Sequence, residues 1–176
     1  REAVDADTRQ VKGWLNLAKA YNSLAVEDST YWEKSYVVAD TLLTLIKEDD
    51  QDYGKVLELA GKVLIIKGEK ERAFAIFEKL MRDDPVNAEI VESVGNEFLR
   101  REDWEDAVKF FQLAADGRRA TETESFDLYY NMGVCYLRMD QFLLSADSFQ
   151  NAIAVDPDNK AANYSLLLAY YSGEFW

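Results

Sequence analysis

The sequence contains no histidine and only one cysteine, Cys135. Without histidine, neither a Ser-His nor a Cys-His nucleophile system can form, and a zinc site that needs a histidine ligand is excluded. One cysteine cannot form a disulfide within the chain, so cysteine content does not indicate a redox compartment, and the localisation stays unknown. We expect Cys135 to be a small buried residue, and we expect the chain not to be an enzyme.

Motifs for phosphates and metal ions are also missing. There is no glycine-rich phosphate loop. The acidic run at 102–106 lacks the alternating spacing and the glycine of a calcium-binding EF-hand loop. Acidic side chains favour the positive end of a helix dipole, so we interpret this run as a solvated loop that leads into a helix. The sequence therefore predicts no metal and no cofactor.

Proline and glycine are scarce, with 2 and 8 residues among 176. Helix-favouring residues are abundant and 48% of the chain is hydrophobic, so the composition predicts an all-α fold with a sizeable core. No uncharged apolar run approaches the length that spans a bilayer, and the longest candidate, 37–46, contains Asp40. We therefore expect no membrane insertion.

Positive charge is sparse as well, since 20 Lys and Arg stand against 33 Asp and Glu, for a net charge of −13. Nucleic acids and anionic membranes would repel such a chain, so neither is expected as its partner. The acidic excess is explained most simply by a solvated surface. The alternative is that the few cations are placed to bind a ligand.

Helical patterns follow one another with short breaks between them. The first pattern covers 4–24 and has apolar residues at spacings of three and four: Val11, Trp14, Leu17, Ala18 and Tyr21. We expect Ser29 or Thr30 to cap a second helix, and Thr30 with Glu33 makes a capping-box pattern. Breaks between paired helices are predicted at three later places: 67–69, 101–103 and 139–141. The last segment, 158–172, provides only the first helix of a pair.

Three residue types recur at an interval of 34 residues: Gly61 and Gly95, Ala73 and Ala107, and Phe77 and Phe111. The next interval, from Gly95 to Gly133 and from Phe111 to Phe149, is 38 residues. A period shared by independent residue types indicates an internal repeat. The added residues fall in 116–125 and amount to about one helical turn. Because Thr121 and Glu124 form another capping-box pattern, we predict that the next helix begins one turn early.

This period, with its order of small and aromatic residues, resembles the tetratricopeptide repeat (TPR) family, whose pattern is W-x2-L-G-x2-Y, then A-x3-F, then P. The unit from residue 54 matches at Leu57, Ala60, Gly61, Leu64, Ala73, Phe77, Leu80 and Pro85. The unit from residue 88 matches at Val91, Val94, Gly95, Phe98, Ala107, Phe111 and Ala114, with Arg119 in place of proline. The third matches at Tyr129, Met132, Gly133, Tyr136, Phe149, Ala152 and Pro157, with Ser145 in place of alanine. Trp14, Leu17, Ala18 and Tyr21 fit half of a further, degenerate unit.

The resemblance implies a right-handed superhelical solenoid of antiparallel helix pairs, with about four repeats and a final unpaired helix. It covers nearly the whole chain and therefore implies one domain over 1–176. The implied segments are a degenerate first repeat at 1–53, repeats at 54–87, 88–125 and 126–159, and a truncated last helix at 160–176. It also implies a concave groove, lined by the first helix of each pair, that binds a peptide or segment of a partner protein. The implied role is that of a scaffold, adaptor or assembly factor.

Helical phase predicts which residues line that groove. Gly133 must face its paired helix, so another stripe of the same helix points into the concave face. Shifting this stripe by the repeat interval gives the candidate ligand-binding residues: Lys12, Asn16, Lys19, Lys55, Lys62, Glu92, Asn96, Arg100, Tyr130, Asn131, Arg138 and Tyr164. The lysines lie in the N-terminal half of the groove and predict an acidic ligand segment there, whereas asparagine suits a peptide backbone and arginine suits a carboxylate. Alternatively, these residues are ordinary solvated side chains.

One binding mode within the family is not expected. TPR modules that clamp the C-terminal carboxylate of heat-shock chaperones use a set pattern of lysine, asparagine and arginine on successive first helices. Here Glu89 and Ser93, or Asp127 and Asn131, stand where basic residues would be needed. We therefore predict that the carboxylate clamp is absent.

The alternative function is structural. The chain starts without Met and ends in an unfinished helical pattern, so we expect it to be a fragment of a longer protein. Terminal repeats normally present a polar outer face, but the C-terminal end carries Tyr170, Phe175 and Trp176. This alternative predicts stacking on further repeats, or self-association with another copy through the C-terminal end.

Overall fold

The structure is a computed structural model that describes the backbone of residues 2–174 and the side chains of residues 10–174. Over these residues the chain forms nine α-helices, one short 3₁₀ turn at Pro85–Asn87 and no strand. The helices are α1 (Glu2–Ala25), α2 (Tyr31–Leu45), α3 (Tyr53–Lys67), α4 (Lys70–Asp83), α5 (Ala88–Arg100), α6 (Trp104–Ala120), α7 (Phe126–Arg138), α8 (Phe142–Val155) and α9 (Lys160–Ser172). The predicted all-α fold class is confirmed. Phe175 and Trp176 lie outside the described residues.

The helices belong to two compact units, 1–80 and 81–176. In the first unit, α2 packs against α1 and α3, and the part of α4 before residue 81 packs on α3. In the second unit, each helix from α5 to α9 packs against the next. Short turns join the consecutive helices, which therefore form antiparallel hairpins, as the repeat predicts. The single domain over the whole chain stays a prediction.

Each of the three repeats contains a glycine packed against a phenylalanine sixteen residues later. The pairs are Gly61 with Phe77, Gly95 with Phe111, and Gly133 with Phe149. A Cβ atom built on any of these glycines would lie 2.6–2.7 Å from the nearest ring carbon, closer than two carbon atoms can pack. All three rings are fully buried and have no free space to move into. The expectation that Gly133 faces its paired helix is confirmed.

Two small residues of the third repeat are buried beside this contact. Ser145 replaces the expected alanine, and its hydroxyl donates a hydrogen bond of 2.9 Å to the carbonyl oxygen of Gly133. A buried hydroxyl needs such an acceptor, so the substitution is tolerated. Cys135 is fully buried, as predicted, and burial raises the pKa of its thiol to about 12. At neutral pH the thiol is therefore protonated and unreactive.

The core of residues 1–80 differs from the predicted pattern at one position of α1. Leu17 is predicted to be buried but is 37% exposed, whereas Leu15 is 4% exposed. The reason is that α1 contributes to a cluster with α3 as well as α2, which includes Leu59 and Val63. Contact with two helices widens and rotates the buried stripe of α1.

The predicted capping box at the start of α2 is wrong. The side chain of Thr30 makes no capping hydrogen bond. Its backbone N–H instead donates to Oδ1 of Asp28 at 2.9 Å, and Glu33 forms an ion pair with Lys67. Asp28 thus competes for the backbone group that the capping box would use.

The prediction that α7 begins a turn early is also wrong. The additional turn lies at the end of α6, which has 17 residues, against 14 in each of α4 and α8. Thr121 does not start a helix, because its hydroxyl donates to the carbonyl of Gly117 at 3.1 Å at the end of α6. The cap of α7 is Ser125, whose Oγ accepts a hydrogen bond of 3.2 Å from the N–H of Leu128.

Gly117 makes room for the additional turn. A Cβ atom there would lie 1.9 Å from Cε of Met81 and 3.2 Å from the carbonyl oxygen of Pro85. The absence of a side chain at Gly117 leaves room for the end of the Met81 side chain and lets the end of α6 lie close to the 3₁₀ turn.

The three predicted breaks between paired helices are confirmed, and each contains one residue with a left-handed backbone conformation. These residues are Gly68 (φ 87°), Glu102 (φ 60°) and Asp140 (φ 56°). Glycine adopts this conformation without the steric conflict that a Cβ atom causes. Among Gly68, Glu102 and Asp140, Glu102 is therefore the residue type least suited to a left-handed backbone conformation.

We predict that replacing Gly95 with Ala lowers the free energy of unfolding by up to about 2 kcal/mol. Overpacking a filled core costs about 1–3 kcal/mol, and the better helix propensity of alanine offsets about 1 kcal/mol of it. Urea denaturation measures the change. The matched control is Gly13→Ala in α1, where a Cβ atom meets nothing within 4 Å. Equal effects at the two positions would contradict the packing argument.

We also predict that Glu102→Gly stabilises the chain by about 0.5–1 kcal/mol, because it removes the strain of a left-handed non-glycine residue. The reciprocal change, Gly68→Glu, should destabilise it by a similar amount. Both are measured by urea denaturation. A loss of stability in Glu102→Gly would show that the side chain of Glu102 matters more than its backbone conformation.

Candidate functional site

A shallow depression of about 250 Å³ in residues 1–80 contains four of the predicted groove residues. It is lined by residues of α1, the start of α3 and the residue before α3: Lys12, Leu15, Asn16, Lys19, Asp52 and Lys55. Lys12, Asn16 and Lys19 share one face of α1, because their spacings of four and three equal about one helical turn each. We call this surface the lysine depression.

Asp52 is the acidic residue of the lysine depression and is 4% exposed. Its Oδ1 accepts a hydrogen bond of 2.7 Å from Nζ of Lys55, and its backbone N–H donates to Oδ1 of Asp50 at 2.9 Å. Oδ2 is buried and has no hydrogen-bond partner among the described residues. A buried carboxylate with one unpaired oxygen is unfavourable unless cations compensate its charge.

The surrounding lysines provide that compensation and hold the pKa of Asp52 below its ordinary value. The hydrogen bond from Lys55 is the largest cause, burial acts in the opposite direction, and the charges of Lys55, Lys12 and Lys19 lower the pKa further. Three lysines and one aspartate sum to a charge of +2 among the lining residues. This local excess contrasts with the net charge of −13 for the whole chain.

The other predicted cations do not join the lysine depression. Nζ of Lys62 donates to Oε1 of Glu58 at 2.7 Å, one turn earlier on α3. Arg100 is exposed and pairs with Glu97 on α5. Arg138 is exposed at the end of α7. The pairs of Lys62 and Arg100 within their own helices reduce the charge that they offer to a ligand.

In residues 81–176, the predicted residues Asn96 and Asn131 contact each other. Nδ2 of Asn131 donates to Oδ1 of Asn96 at 2.9 Å, and both side chains are half-buried. Each amide has a second polar atom, Nδ2 of Asn96 and Oδ1 of Asn131. One donor and one acceptor side by side match the N–H and C=O groups of an extended peptide.

The two predicted tyrosines differ in exposure. The ring of Tyr130 stacks on Phe126 with 5.6 Å between centroids and contacts Phe149 at 5.5 Å. Its hydroxyl lies 3.4 Å from Oγ of Ser165. Tyr130 is therefore largely a packing residue between α7 and α9, whereas Tyr164 on α9 is 69% exposed.

Glu92 is buried, at 8% exposure, and connects three helices. Its Oε2 accepts hydrogen bonds from Nε and Nη2 of Arg118 at 2.9 and 2.6 Å. Its Oε1 accepts a hydrogen bond of 3.0 Å from Oγ of Ser125, the cap of α7. Both oxygens are thus used within the fold, and the ligand-binding role of Glu92 stays a prediction without geometric support.

The sequence does not single out two charged residues that matter here. Asp52 lies in an acidic run that indicates a loop or a helix start with solvated charges, and its place directly before a helix is a signal for a capping position. Arg118 lies in the additional turn of α6, outside the 34-residue match. Burial of either residue depends on contacts between helices that a one-dimensional pattern does not contain.

The described side chains include no group of three or more Cys, Asp or Glu arranged to hold a metal ion. None of the helices in the described part of the chain combines the length and the apolar character needed to cross a bilayer.

The stability of the wild-type chain should fall more steeply with acid than that of Asp52→Asn. Because the folded-state pKa of Asp52 is lowered, its ionised form stabilises the fold above the unfolded pKa of about 3.9. That contribution is lost as the pH falls through the folded-state pKa. Urea denaturation between pH 7 and pH 3 measures the difference. Asp116→Asn, which alters an exposed pair with Arg119, is the control and should follow the wild type.

Similarity to known proteins indicates the fold of this chain more than its function. A family model for the tetratricopeptide repeat matches residues 126–159. The general transcriptional corepressor trfA of Dictyostelium discoideum is 25% identical over 96 residues, which are 54% of this chain and 7% of that protein. The chain thus spans a small part of this relative.

Among solved structures, the C-terminal part of a TPR repeat-containing protein from Cytophaga hutchinsonii has a TM-score of 0.59 and 13% identity, covering 98% of this chain and 71% of that one. MamA has a TM-score of 0.56 and 17% identity, covering 90% of this chain and 82% of that one. At these identities the likeness shows the fold. The resemblance is confirmed: residues 126–159 match the tetratricopeptide repeat family, and nearly the whole chain has the fold of tetratricopeptide repeat proteins.

Proposed function

We propose that this chain is a non-enzymatic protein-interaction module that binds an acidic segment of a partner protein at the lysine depression. The observation that carries the proposal is the convergence of three lysines from two helices around one buried aspartate. The tetratricopeptide fold supports it, because proteins of this family bind peptides and protein segments. The role would be that of a scaffold, adaptor or assembly factor.

The chemistry of the depression favours a carboxylate ligand. Lys12 and Lys19 are exposed, and their charges act on the carboxylate of Asp52. Asp52 is already bonded to Lys55 through Oδ1, so the ammonium groups of Lys12 and Lys19 remain available to a ligand. Each ammonium has three donors, which suits the oxygens of glutamate or aspartate side chains.

Asn16 and Leu15 complete the proposed site. Asn16 lies between the two exposed lysines on α1, where its amide can bond to the backbone of an extended segment. Leu15 is buried and gives the depression an apolar floor. A segment bound here would alternate backbone contacts to Asn16 with side-chain contacts to Lys12 and Lys19.

In residues 81–176, we propose a separate backbone contact at the Asn96–Asn131 pair. Arg100 follows Asn96 by one helical turn and Arg138 follows Asn131 by two, so each cation lies on the same face as the neighbouring amide. The exposed groups at these positions suit a peptide with a carboxylate near its backbone contact.

The charge-reversal pair Lys12→Glu and Lys19→Glu should weaken binding of a glutamate-rich peptide by about tenfold, or about 1.4 kcal/mol. Each exposed ion pair contributes at most about 1 kcal/mol, and reversal adds repulsion. Fluorescence anisotropy with a fluorescein-labelled peptide measures the affinity. A peptide with glutamine at every glutamate position should bind more weakly to the wild type, and added salt should reduce the difference.

The control variant is Lys109→Glu with Arg119→Glu, which makes the same change in net charge at exposed positions of α6. It should keep most of the affinity. An equal loss in both double variants would mean that only net charge matters. Equal binding of the glutamate and glutamine peptides would refute the proposed site, provided that circular dichroism shows unchanged helicity.

A further inference from the structure

The outward face of α9 carries four large apolar residues in one stripe. Tyr164, Leu167, Leu168 and Tyr171 are 69%, 56%, 38% and 66% exposed. Their spacings of three, one and three place them on one side of the helix. The opposite side, which includes Leu166 and Ala169, packs against Ala146 and Phe149 of α8. We call the exposed residues the α9 stripe.

The repeat register shows what kind of helix can cover this stripe. Leu167 follows Gly133 by 34 residues, and the adjacent core positions correspond as well, since Ala162 and Ala169 are as deeply buried as Leu128 and Cys135. Leu167 therefore occupies the position that is glycine in the three repeats. A Cβ atom at those glycines is already too close to the paired phenylalanine. A helix that covers Leu167 must consequently lie further away than α8 lies from α7.

The α9 stripe is also symmetric along the helix. Its sequence is Tyr-x2-Leu-Leu-x2-Tyr, which reads the same in both directions about the midpoint between Leu167 and Leu168. A two-fold axis through this midpoint would place Tyr164 against Tyr171 of a second copy, and Leu167 against Leu168 of that copy. Such a self-complementary patch is what an isologous dimer requires.

Charge favours the same antiparallel arrangement. Between residues 160 and 174, the charged residues are Lys160 and Glu174. They lie seven residues before Leu167 and six residues after Leu168, so the two-fold axis brings Lys160 of one copy near Glu174 of the other. A parallel arrangement would instead place lysine against lysine. Antiparallel helix dipoles also attract, whereas parallel dipoles repel.

We infer that two copies of this chain associate through the α9 stripe as an antiparallel, two-fold symmetric helix pair. Leucine and tyrosine side chains make the contact, which buries apolar surface that a single chain exposes to water. The inference is independent of the lysine depression, which lies in the other compact unit. A negative result for association through the α9 stripe would therefore not affect the proposal of ligand binding at the lysine depression, and the reverse is also true.

Sedimentation equilibrium of the 176-residue chain over a range of concentrations tests the association. The mass should approach twice that of one chain as concentration rises, and Leu167→Glu with Leu168→Glu should return it to that of one chain. The matched control is Leu143→Glu with Leu144→Glu, an adjacent leucine pair on α8 that is 60% and 47% exposed. This control should still associate. A single-chain mass for the wild type at all concentrations would overturn the inference, as would persistent association of the Leu167 and Leu168 variant.

A second test exchanges the charges of Lys160 and Glu174, and it remains informative if the variant with Leu167→Glu and Leu168→Glu loses helicity. Lys160→Glu should weaken association several-fold, and adding Glu174→Lys should restore it, because the exchange preserves the pair across the two-fold axis. No restoration would contradict the antiparallel arrangement.

Engineered cysteines distinguish the two directions, since the native Cys135 is buried and unreactive. In the antiparallel pair, a mixture of Tyr164→Cys and Tyr171→Cys chains should form mixed disulfide dimers under mild oxidation. Each of the two variants alone should form few disulfide-linked dimers. Efficient linkage within each variant alone would indicate parallel helices and would overturn the proposed geometry.

Discussion

The close contact between a glycine and a buried phenylalanine sixteen residues later sets the geometry of the three repeats. Since a Cβ atom would lie within 2.7 Å of the ring, the two helices of a pair stand closer than ordinary side chains allow. Dispersion contacts fall off steeply with distance, so this close approach fixes both the register and the spacing of each pair. Ser145 and Gly117 are small residues that fit around this contact. The Ser145 hydroxyl donates a hydrogen bond to the carbonyl of Gly133, and Gly117 leaves room for Met81 beside α6. The repeats therefore differ at positions such as Ser145 and Gly117 but share the same glycine–phenylalanine contact.

That contact also decides which surfaces remain for binding. Once the glycine side of α3 is buried, its polar residues must face elsewhere, and Lys55 at the start of α3 lines the lysine depression. Asp52 gives this surface its character, because a buried carboxylate holds Lys55 in place and attracts Lys12 and Lys19. On α9, Leu167 stands at the glycine position of the repeats, so a helix cannot pack there as closely as α8 packs on α7, and the apolar stripe around Leu167 is exposed. The two surfaces differ in chemistry, one cationic and one apolar, so they suit different partners.

Much of the fold follows from the sequence, whereas less of the candidate site does. The breaks at Gly68, Glu102 and Asp140 are predictable because turn positions repeat with the same period as the core. The helix starts were predicted less well, since a capping-box pattern at Thr30 or Thr121 cannot reveal that Asp28 or the end of α6 uses the same groups. Helical phase places Lys12, Asn16, Lys19 and Lys55 on one surface, but it also selects Glu92, whose oxygens are taken by Arg118 and Ser125.

The sequence by itself determined the all-α class, the repeat period and the packing role of each glycine and phenylalanine, because these depend on residue spacing along one or two helices. Only the tertiary structure decided the charge environment of Asp52, the burial of Glu92 and the exposure of the α9 stripe. Lys12 and Lys19 beside Asp52, and Arg118 and Ser125 beside Glu92, are distant in sequence and are brought close by packing. Exposure of the α9 stripe depends on which helices pack against α9. Electrostatic and hydrophobic energies vary with distance and with burial, which a repeat pattern does not specify.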